Sequence, residues 1–304
     1  MSRAYSLWGL AALGVLAIGC ADDSPPKAAS TIATAVPKSV GTTESTATTP
    51  ATNTATTGPT KVDPVVIHMV DSGFDMPSVL QGPLLDIEVV NDGALAHELA
   101  FAKIAPGTTA EQVIAALKNH DEGASFLLGD PGGINLLGGH ERLRYERLLE
   151  PGSYIAFCPF ATSGGGTHME HGMYRTFTVS DGSNGHLLAA DRTVTLSDDG
   201  IGLPKLSAGT VRLAIINAGS APHELYILGV PAATDAGTDI DGEVGSWIEG
   251  GQVDPAPREA HFPGGHQSIA PGETVVLTLT LRAGYRYQFE DFSGSEPHVA
   301  TATT

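Results

Sequence analysis

The strongest constraint on the fold of this 304-residue chain is that its two halves repeat one another. The segment LLDIEVVNDGALAHELAFAKI (84–104) aligns with TVRLAIINAGSAPHELYILGV (210–230), which aligns His97 with His223. In both segments apolar and polar residues alternate, the chain turns at an Asn, and a second alternating run follows, as in two antiparallel β-strands. The repeat therefore predicts two similar β-domains in tandem.

A second pair of segments extends the repeat toward the end of each half. LLEPGSYIAFCPF (148–160) aligns with TLRAGYRYQFEDF (280–292), which aligns Cys158 with Glu290. Throughout both halves the alternating runs are short, with Gly, Pro, Asn and Asp between them and almost no helical periodicity. The sequence therefore predicts an all-β fold of two tandem Greek-key β-sandwich or barrel domains.

One segment departs from this pattern. EQVIAALKNH (111–120) has apolar residues at helical spacing, and Thr108 and Thr109 precede it as capping residues. The segment predicts a short helix inserted in the first half, which we expect to cover a sheet edge or a barrel end.

The N-terminus has the form of an export signal. Arg3 precedes an apolar run (7–19) that is too short to span a bilayer and ends in small residues before Cys20. The segment LAIGC (16–20) resembles the lipobox of bacterial lipoproteins, which implies cleavage before Cys20 and acylation of its thiol by fatty acids such as palmitate. The expected location is the cell membrane, lipid-anchored and facing outside the cytoplasm. An ordinary secretory signal cut nearby is the alternative.

The chain after this signal divides into a linker and two domains. Residues 20–62 consist mostly of Ala, Thr, Ser and Pro, which cannot bury enough apolar surface to offset the entropy cost of ordering the backbone. This linker is predicted to be a disordered tether with a reach of about 35 Å. The predicted organisation is therefore a signal peptide (1–19), the tether (20–62), a first domain (63–182) and a second domain (183–304).

The net charge of −18 excludes a large class of partners. Lys and Arg total 16 against 34 Asp and Glu, and both predicted domains share the acidic excess. Such a surface repels phosphate backbones, so we expect no nucleic-acid partner.

Cys158 is expected to be an unpaired thiol. The chain has two cysteines, and if Cys20 carries lipid, no internal disulfide is possible. A free thiol outside the cytoplasm is open to oxidation, so a metal-binding or catalytic use is favoured. The alternative is a buried cysteine that acts as a small apolar residue.

Cys158 begins a loop that is rich in metal-binding side chains, CPFATSGGGTHMEHGM (158–173). His168 and Met173 follow in this loop, and His97 lies upstream in the repeat. Two imidazoles, a thiol and a thioether form a soft set of donors that suits copper and is unsuited to Ca²⁺ or Mg²⁺. The sequence therefore predicts a copper site.

The sequence does not determine which side chains of this loop are the metal ligands. The glycines at 164–166 give the loop room to bend back, so residues on either side of them can approach Cys158. Met169 and His171 are near enough in sequence to replace a chosen ligand, and the choice between His168 and His171 stays open.

The first half resembles the cupredoxins, or blue copper proteins, over residues 65–181. In that family a His after an Asn-containing strand turn and a Cys-His-Met loop before the last strand bind one type 1 copper. The resemblance implies His97, Cys158 and His168 as equatorial ligands and Met173 as the long axial ligand. It also implies the cupredoxin-like form of the predicted β-sandwich.

The second domain lacks the complete set. His223 and His298 are present, but Glu290 stands at the position aligned with Cys158, and no Met follows it. The second half is therefore predicted to be a degenerate cupredoxin-like domain with a structural or docking role.

The neighbours of Cys158 argue against an enzyme. Multicopper oxidases and copper nitrite reductases have a His beside the type 1 Cys, whereas this chain has Phe157 and Pro159 there. The predicted function is single-electron transfer outside the cytoplasmic membrane, with acidic faces that steer the protein to a redox partner protein with a basic docking patch.

Two other functions stay open. Met169, His171 and Met173 beside His168 would suit a copper-handling protein that binds or delivers Cu(I), and a metal-free domain would serve as a surface module. Colour distinguishes these functions, because the resemblance implies an intense visible band for a Cu(II) thiolate and no band for the alternatives.

Overall fold

β-Strands make up most of the part of the chain that the structure describes. The computed structural model describes residues 64–304 except 122, 183–186, 233–239, 251 and 295–296. The predicted signal peptide, Cys20 and the tether lie outside these residues. The prediction of an all-β fold is confirmed.

The strands follow the alternation seen in the sequence. In the first strand segment of the repeat, Leu85, Ile87 and Val89 are buried, while the polar residues between them lie on the other face. The first half contains β1 (Val65–Val70), β2 (Gly73–Asp75), β3 (Val79–Gln81), β4 (Leu84–Asn91), β5 (His97–Ile104), β6 (Leu127–Leu137), β7 (Arg142–Leu148), β8 (Gly152–Phe157) and β9 (Tyr174–Ser180). The second half contains β10 (Arg192–Ser197), β11 (Gly200–Gly202), β12 (Gly209–Asn217), β13 (His223–Pro231), β14 (His266–Ile269), β15 (Thr274–Leu281), β16 (Tyr285–Asp291) and β17 (His298–Thr303).

The strands form three sheets, and both halves share the largest one. Its order is β11-β10-β12-β15-β7-β4-β1-β2, in which β7 of the first half pairs antiparallel with β15 of the second. A five-stranded sheet, β3-β9-β8-β5-β6, completes the first half, and a four-stranded sheet, β14-β13-β16-β17, completes the second. The main apolar core contains side chains from all three sheets.

A second contact joins the halves where β6 lies near β14. Gly132 permits this approach, because its φ is +71° and a Cβ there would lie 2.1 Å from the carbonyl oxygen of Gln267. Residues Pro64–Thr304 accordingly form one compact unit. The predicted domain boundary between residues 182 and 183 stays a prediction, and the halves on either side of it share a sheet.

The predicted helix is present as α1 (Ala110–Lys118). Thr109 is its N-cap and forms a capping box with Gln112, in which each side chain accepts a hydrogen bond from the other residue's backbone amide. Val113 and Leu117 of this helix belong to a second apolar cluster, which also includes Ala100, Ile104, Ile155 and Phe157. The helix therefore covers the outer face of the five-stranded sheet. The predicted position at an edge or barrel end is wrong, because β5 and β8 bury apolar side chains on both of their faces.

A second helix, α2 (Ile240–Glu249), is absent from the sequence-based prediction. Its sequence, IDGEVGSWIE, contains two glycines, which lower helix propensity. Trp247 of α2 packs against Phe262 and also against Phe160 of the first half, with ring centroids 5.4 and 5.9 Å apart. No helix in the described residues is long and apolar enough to cross a membrane.

Strand pairing corrects the alignment of Cys158 with the second half by one residue. The residue before Cys158 pairs with Ala100, and at the equivalent place in the second half Glu290 pairs with Tyr226. The residue that corresponds to Cys158 is therefore Asp291. The second half has one more residue between its turn glycine and the paired strand, and a slip of one residue moves a side chain to the opposite face.

Buried charges lie at the seam between β7 and β15. Glu146 is 1% exposed and forms ion pairs with Arg212 of the second half and with Arg144. Arg212 also donates to Thr278 Oγ1 at 3.2 Å, and the amide of Leu188 donates to Glu146 Oε2 at 3.3 Å. A carboxylate buried to this extent depends on its partners, because an uncompensated buried charge is strongly destabilising.

Replacing Arg212 by Met tests this seam. We expect the free energy of unfolding, measured by urea denaturation, to fall by about 2 to 3 kcal/mol, because Glu146 then keeps only Arg144 as a charged partner. The control is Arg142→Met. Its guanidinium is 69% exposed and lies 3.5 Å from Glu88, so the loss should be about 0.5 kcal/mol. Equal losses in the two variants would contradict a structural role for the buried pair.

Candidate metal centre

The turn between β4 and β5 places His97 at the start of β5, where its side chain is fully buried. Asn91 fixes this turn. Its Nδ2 donates to the carbonyl oxygen of Leu95 at 2.8 Å and to that of Leu137 at 3.0 Å. The Asn that marks the turn in the sequence therefore ties the end of β4 to the turn and to Leu137 of β6, which pairs with His97.

The loop after β8 returns to its own starting point. The amide of Cys158 donates to the carbonyl oxygen of Met173 at 3.1 Å, and the amide of Met173 donates to that of His168 at 2.9 Å. Gly165 and Gly166 have φ values of +89° and +76°, which are readily adopted by glycine alone. The bend expected at the glycine run is present and brings His168 back to Cys158.

Three donor atoms meet where these segments converge. His97 Nδ1 and His168 Nδ1 are 3.0 Å apart, and Cys158 Sγ lies 3.9 and 3.4 Å from them, respectively. Among the described residues, these three side chains form a group whose possible ligand atoms all lie within 4.8 Å of one another. A circle through the three atoms has a radius of about 2.0 Å, which is close to metal–nitrogen and metal–sulfur bond lengths in proteins.

Each imidazole turns its other nitrogen to a carboxylate. His97 Nε2 lies 3.1 Å from Asp71 Oδ1, and His168 Nε2 lies 2.5 Å from Asp254 Oδ2. Because an ionised carboxylate only accepts hydrogen bonds, Nε2 carries the hydrogen in each ring and Nδ1 keeps a lone pair. With both rings neutral, the two Nδ1 lone pairs face each other at 3.0 Å and would both be available to a cation between them.

The surroundings of the three donors exclude water. Cys158 and His97 are completely buried, and His168 is almost completely buried. Burial raises the pKa of the Cys158 thiol, although the amide of Glu98 donates to Sγ at 3.4 Å. Burial also lowers the pKa of His97, which keeps its imidazole neutral at neutral pH. A cation that enters must displace the thiol proton, as in metal binding to thiols generally.

The structure separates the side chains that the sequence left as alternatives. Met173 is buried in the same apolar core as Cys158. Met169 packs in the other cluster, with α1. His171 is exposed, and its Nε2 lies 2.9 Å from the carbonyl oxygen of Gly165. The loop therefore brings His168 to Cys158 and directs His171 and Met169 elsewhere.

The equivalent place in the second half is filled by hydrogen bonds. His223 Nε2 lies 3.1 Å from Asp198, as in the pair that holds His97. His223 Nδ1 lies 2.6 Å from Asp291 Oδ2, and the amide of Glu224 donates to Asp291 Oδ1 at 3.3 Å. His298 Nδ1 is 4.0 Å from the same carboxylate. An imidazole–carboxylate pair thus occupies the space that the thiol and the second imidazole occupy in the first half.

Two residues of the site were not found from the sequence, Asp71 and Asp254. Asp71 lies in the turn between β1 and β2, and Asp198 lies in the matching turn of the second half. The paired motifs DSG (71–73) and DDG (198–200) are a signal that could have found this carboxylate. Asp254 has no counterpart in the repeat, and no feature of the sequence connects it with the loop.

The comparisons with known proteins concern structure alone. No protein-family model matches the chain, and no curated protein is significantly similar to it. A dithionite-reduced auracyanin from Roseiflexus castenholzii is 17% identical, with a TM-score of 0.26, over 38% of this chain and 94% of the auracyanin. Auracyanin A, a blue copper protein from Chloroflexus aurantiacus, is 21% identical, with a TM-score of 0.26, over 39% of this chain and 100% of its own.

A longer structure is similar over both halves. A copper nitrite reductase from Nitrosomonas europaea is 16% identical, with a TM-score of 0.23, over 80% of this chain and 94% of the reductase. At these identities and TM-scores, none of the similarities carries an argument about what this chain does. The chain's own fold and site define its class. It is an all-β protein whose first half gathers His97, Cys158 and His168 in a buried cluster.

Two carboxyl groups stand at equivalent places in the two halves, Glu98, which is buried beside the site, and Glu224, which is partly buried. Burial raises the pKa of Glu98 to about 8, and repulsion from Glu224 adds to the effect. Burial also raises the pKa of Glu224 to about 8. Gln267 Nε2 donates to Glu98 Oε2 at 2.5 Å, and Glu98 Oε1 has no hydrogen-bond partner among the described residues. We therefore expect Glu98 to hold its proton in the folded protein at neutral pH.

This protonation makes the stability of the copper-free protein depend on pH. The folded protein holds a proton that the unfolded chain releases, so the free energy of unfolding falls as the pH rises toward 8. Glu98→Gln keeps the shape and removes the titration. From about pH 6 to about pH 8, the stability of this variant relative to the unaltered chain should rise, by at most about 1.4 kcal/mol per pH unit.

Urea denaturation at a series of pH values measures this difference. The control is Glu150→Gln, because the hydrogen bond from Lys103 lowers the pKa of Glu150 and its titration lies below this range. If the free energy of unfolding changed with pH in the same way for Glu98→Gln and the unaltered chain, Glu98 would be ionised in the folded protein over this pH range.

Proposed function

We propose that the protein binds one copper ion in a type 1 arrangement and transfers single electrons. The ligands are His97 Nδ1, Cys158 Sγ and His168 Nδ1, with Met173 as the axial residue. The observation that carries the proposal is that His97 Nδ1 and His168 Nδ1 lie 3.0 Å apart beside the buried thiol of Cys158. Hydrogen bonds to Asp71 and Asp254 hold the two rings in this orientation.

The donor set fits copper better than other common ions. Thiolate and imidazole together favour copper or zinc, and the hard cations prefer oxygen. A fourth thioether is a ligand typical of copper and is unusual for zinc. When bound, copper would supply one-electron chemistry by cycling between Cu(I) and Cu(II).

The protein contributes rigidity and a dry environment to this chemistry. The donor atoms are anchored by strand β5, by the end of β8 and by a loop whose ends are hydrogen-bonded together. Ligands held in this way move little when the charge of the ion changes, which favours fast electron transfer. The amide of Glu98 donates to Cys158 Sγ, and hydrogen bonds of this kind to the sulfur tune the reduction potential.

An electron carrier is favoured over an enzyme by the residues beside Cys158. Phe157 packs in the α1 cluster and Phe160 packs against Trp247, so apolar rings flank the thiol. No His adjoins Cys158 in sequence to relay electrons to a second centre. The proposed reaction is therefore outer-sphere electron exchange with another protein, in which no substrate is chemically changed.

A copper-handling function is less well supported by the loop. Such a function would use Met169 and His171 beside His168 to pass on Cu(I). Met169 is buried on the side of α1 and His171 is bonded to the loop's own backbone, so neither lies with the three donors. The proposal therefore assigns the loop to permanent binding of the ion.

The remaining parts of the proposal concern location and partners. Cys20 carries lipid that anchors the protein at the outer side of the cytoplasmic membrane, and the tether extends the β-domains from the surface. The net charge of −18 steers the protein toward a redox partner with a basic docking patch, and this attraction weakens as salt is added. The same charge disfavours nucleic acid as a partner.

Ligand variants test the copper assignment. The purified full chain is expected to bind one copper and to show an intense visible band, which Cys158→Ser removes because the thiolate is its source. Met173→Leu should keep the band and raise the reduction potential, because an axial thioether tunes the site without holding it. Metal analysis, absorption spectra and redox titration measure these effects.

The matched pair for this experiment is His168→Ala and His171→Ala. The first removes a donor and should abolish the band, whereas the second removes an exposed ring and should leave the spectrum unchanged. A Cys158→Ser protein that binds Cu(II) with the unaltered spectrum would exclude the type 1 site. Two equivalents of copper bound with similar affinity would show that the second half also holds a metal.

Membrane retention tests the anchor. We expect the full chain to remain in the membrane fraction through washing at high salt, and Cys20→Ser to be released or to keep its signal peptide. Charge cannot hold so acidic a protein to an anionic bilayer, and one acyl chain binds only marginally, so firm retention requires more than one chain. If Cys20→Ser stayed bound at high salt, a protein partner would be responsible and the lipid assignment would be wrong.

A further inference from the structure

We infer that Asp254, from the second half of the chain, is a positioning residue of the copper site in the first half. This inference rests on the proposed function. The second half, which lacks a complete ligand set, then has a function. It holds His168 in the orientation that metal binding requires.

The contact between the two residues is short and buried. Asp254 Oδ2 lies 2.5 Å from His168 Nε2, and the side chains are 7% and 4% exposed. The amide of Asp254 donates to the carbonyl oxygen of Ala161 at 3.3 Å, so backbone and side chain both bind the ligand loop. Asp254 Oδ1 has no hydrogen-bond partner among the described residues, which leaves His168 as the side chain that compensates this carboxylate.

Helix α2 holds Asp254 in place. Trp247 Nε1 donates to the carbonyl oxygen of Val253 at 2.7 Å, which fixes the segment immediately before Asp254. The Trp247 ring meets the edge of Phe160, and the Phe160 ring lies 6.4 Å from that of His168. The second half therefore contacts the loop at two points, with an aromatic ring against Phe160 and a carboxylate against the imidazole.

The carboxylate determines what His168 offers to a metal. With Nε2 as the donor to Asp254, the ring is held in the tautomer whose lone pair is on Nδ1, 3.4 Å from Cys158 Sγ. A carboxylate behind the ring also makes the imidazole a stronger electron donor. This favours Cu(II) over Cu(I), because the more highly charged ion gains more from the added negative charge.

The two histidines of the site therefore depend on different halves. Asp71 performs the same task for His97 from within the first half, at 3.1 Å. Asp198 makes the matching contact to His223 in the second half, at 3.1 Å and away from the proposed copper. Asp198 thus offers a control in which the same kind of pair is broken with no metal ligand involved.

The experiment compares Asp254→Asn, Asp254→Ala and Asp254→Glu with Asp198→Asn in the purified full chain. Asp254→Asn keeps the shape and removes the charge, and Asp254→Ala removes the hydrogen bond as well. The affinity for Cu(II) should fall about 10- to 100-fold in Asp254→Ala and less in Asp254→Asn. The affinity for Cu(I) should fall less than that for Cu(II) in each, so the reduction potential should rise. Asp254→Glu should restore part of both.

A separate measurement follows His168 in the metal-free protein. Nitrogen NMR of the imidazole should show hydrogen on Nε2 in the unaltered chain and a mixture of tautomers in Asp254→Ala. Thermal unfolding of every variant records whether the fold survives. A role limited to stability would lower the melting temperature and leave the reduction potential and the tautomer unchanged, and that result would overturn the inference.

The outcomes separate this inference from the proposed function. If the unaltered chain binds no copper, the proposed function fails, and the tautomer of His168 still decides whether Asp254 orients the ring. If the unaltered chain binds copper with the expected band, but Asp254→Ala and Asp198→Asn have equal Cu(II) affinities and potentials, the proposed function stands and the role of Asp254 is refuted.

Discussion

The facing imidazole nitrogens of His97 and His168, 3.0 Å apart, are the constraint around which the first half is arranged. Hydrogen bonds from other parts of the chain hold the two rings in place. Those bonds come from Asp71 and Asp254 behind the rings and from the Asn91 turn below. The glycine bend and the closed ends of the ligand loop serve the same purpose, since both deliver His168 to Cys158.

The second half shows what the same backbone does without this constraint. Where Cys158 stands in the first half, Asp291 accepts hydrogen bonds from His223 and from the amide of Glu224. The amide of Glu98 donates to Cys158 Sγ, and the equivalent amide of Glu224 donates to the carboxylate of Asp291. The backbone is therefore retained while the side-chain chemistry changes. The ring of His223 has a carboxylate at each nitrogen, whereas Nδ1 of His97 and Nδ1 of His168 face each other and are available to a metal ion.

Local sequence patterns were enough for the strands and the capped helix α1, because alternation and capping residues act over a few residues. The grouping of His97, Cys158 and His168 was implied by the resemblance to the cupredoxins, and the residues alone left the choice between His168 and His171 open. The patterns failed where the determining contact is distant. The partner of His168 lies 86 positions away, on a segment with no counterpart in the repeat. The one-residue slip between Cys158 and Asp291 depends on the strand pairing, and similar apolar spacing in the two segments conceals it.

The strand pairing of β7 with β15 has a consequence for how such a chain can be divided. If the halves were cut apart, each would present an unpaired strand edge, with Tyr145 on one and Leu277 on the other, both fully buried in the intact chain. Exposed edges of this kind recruit strands from other molecules. A half produced by proteolysis would therefore be prone to pair with another copy or to aggregate. In the intact chain, β7 and β15 cover each other's edges.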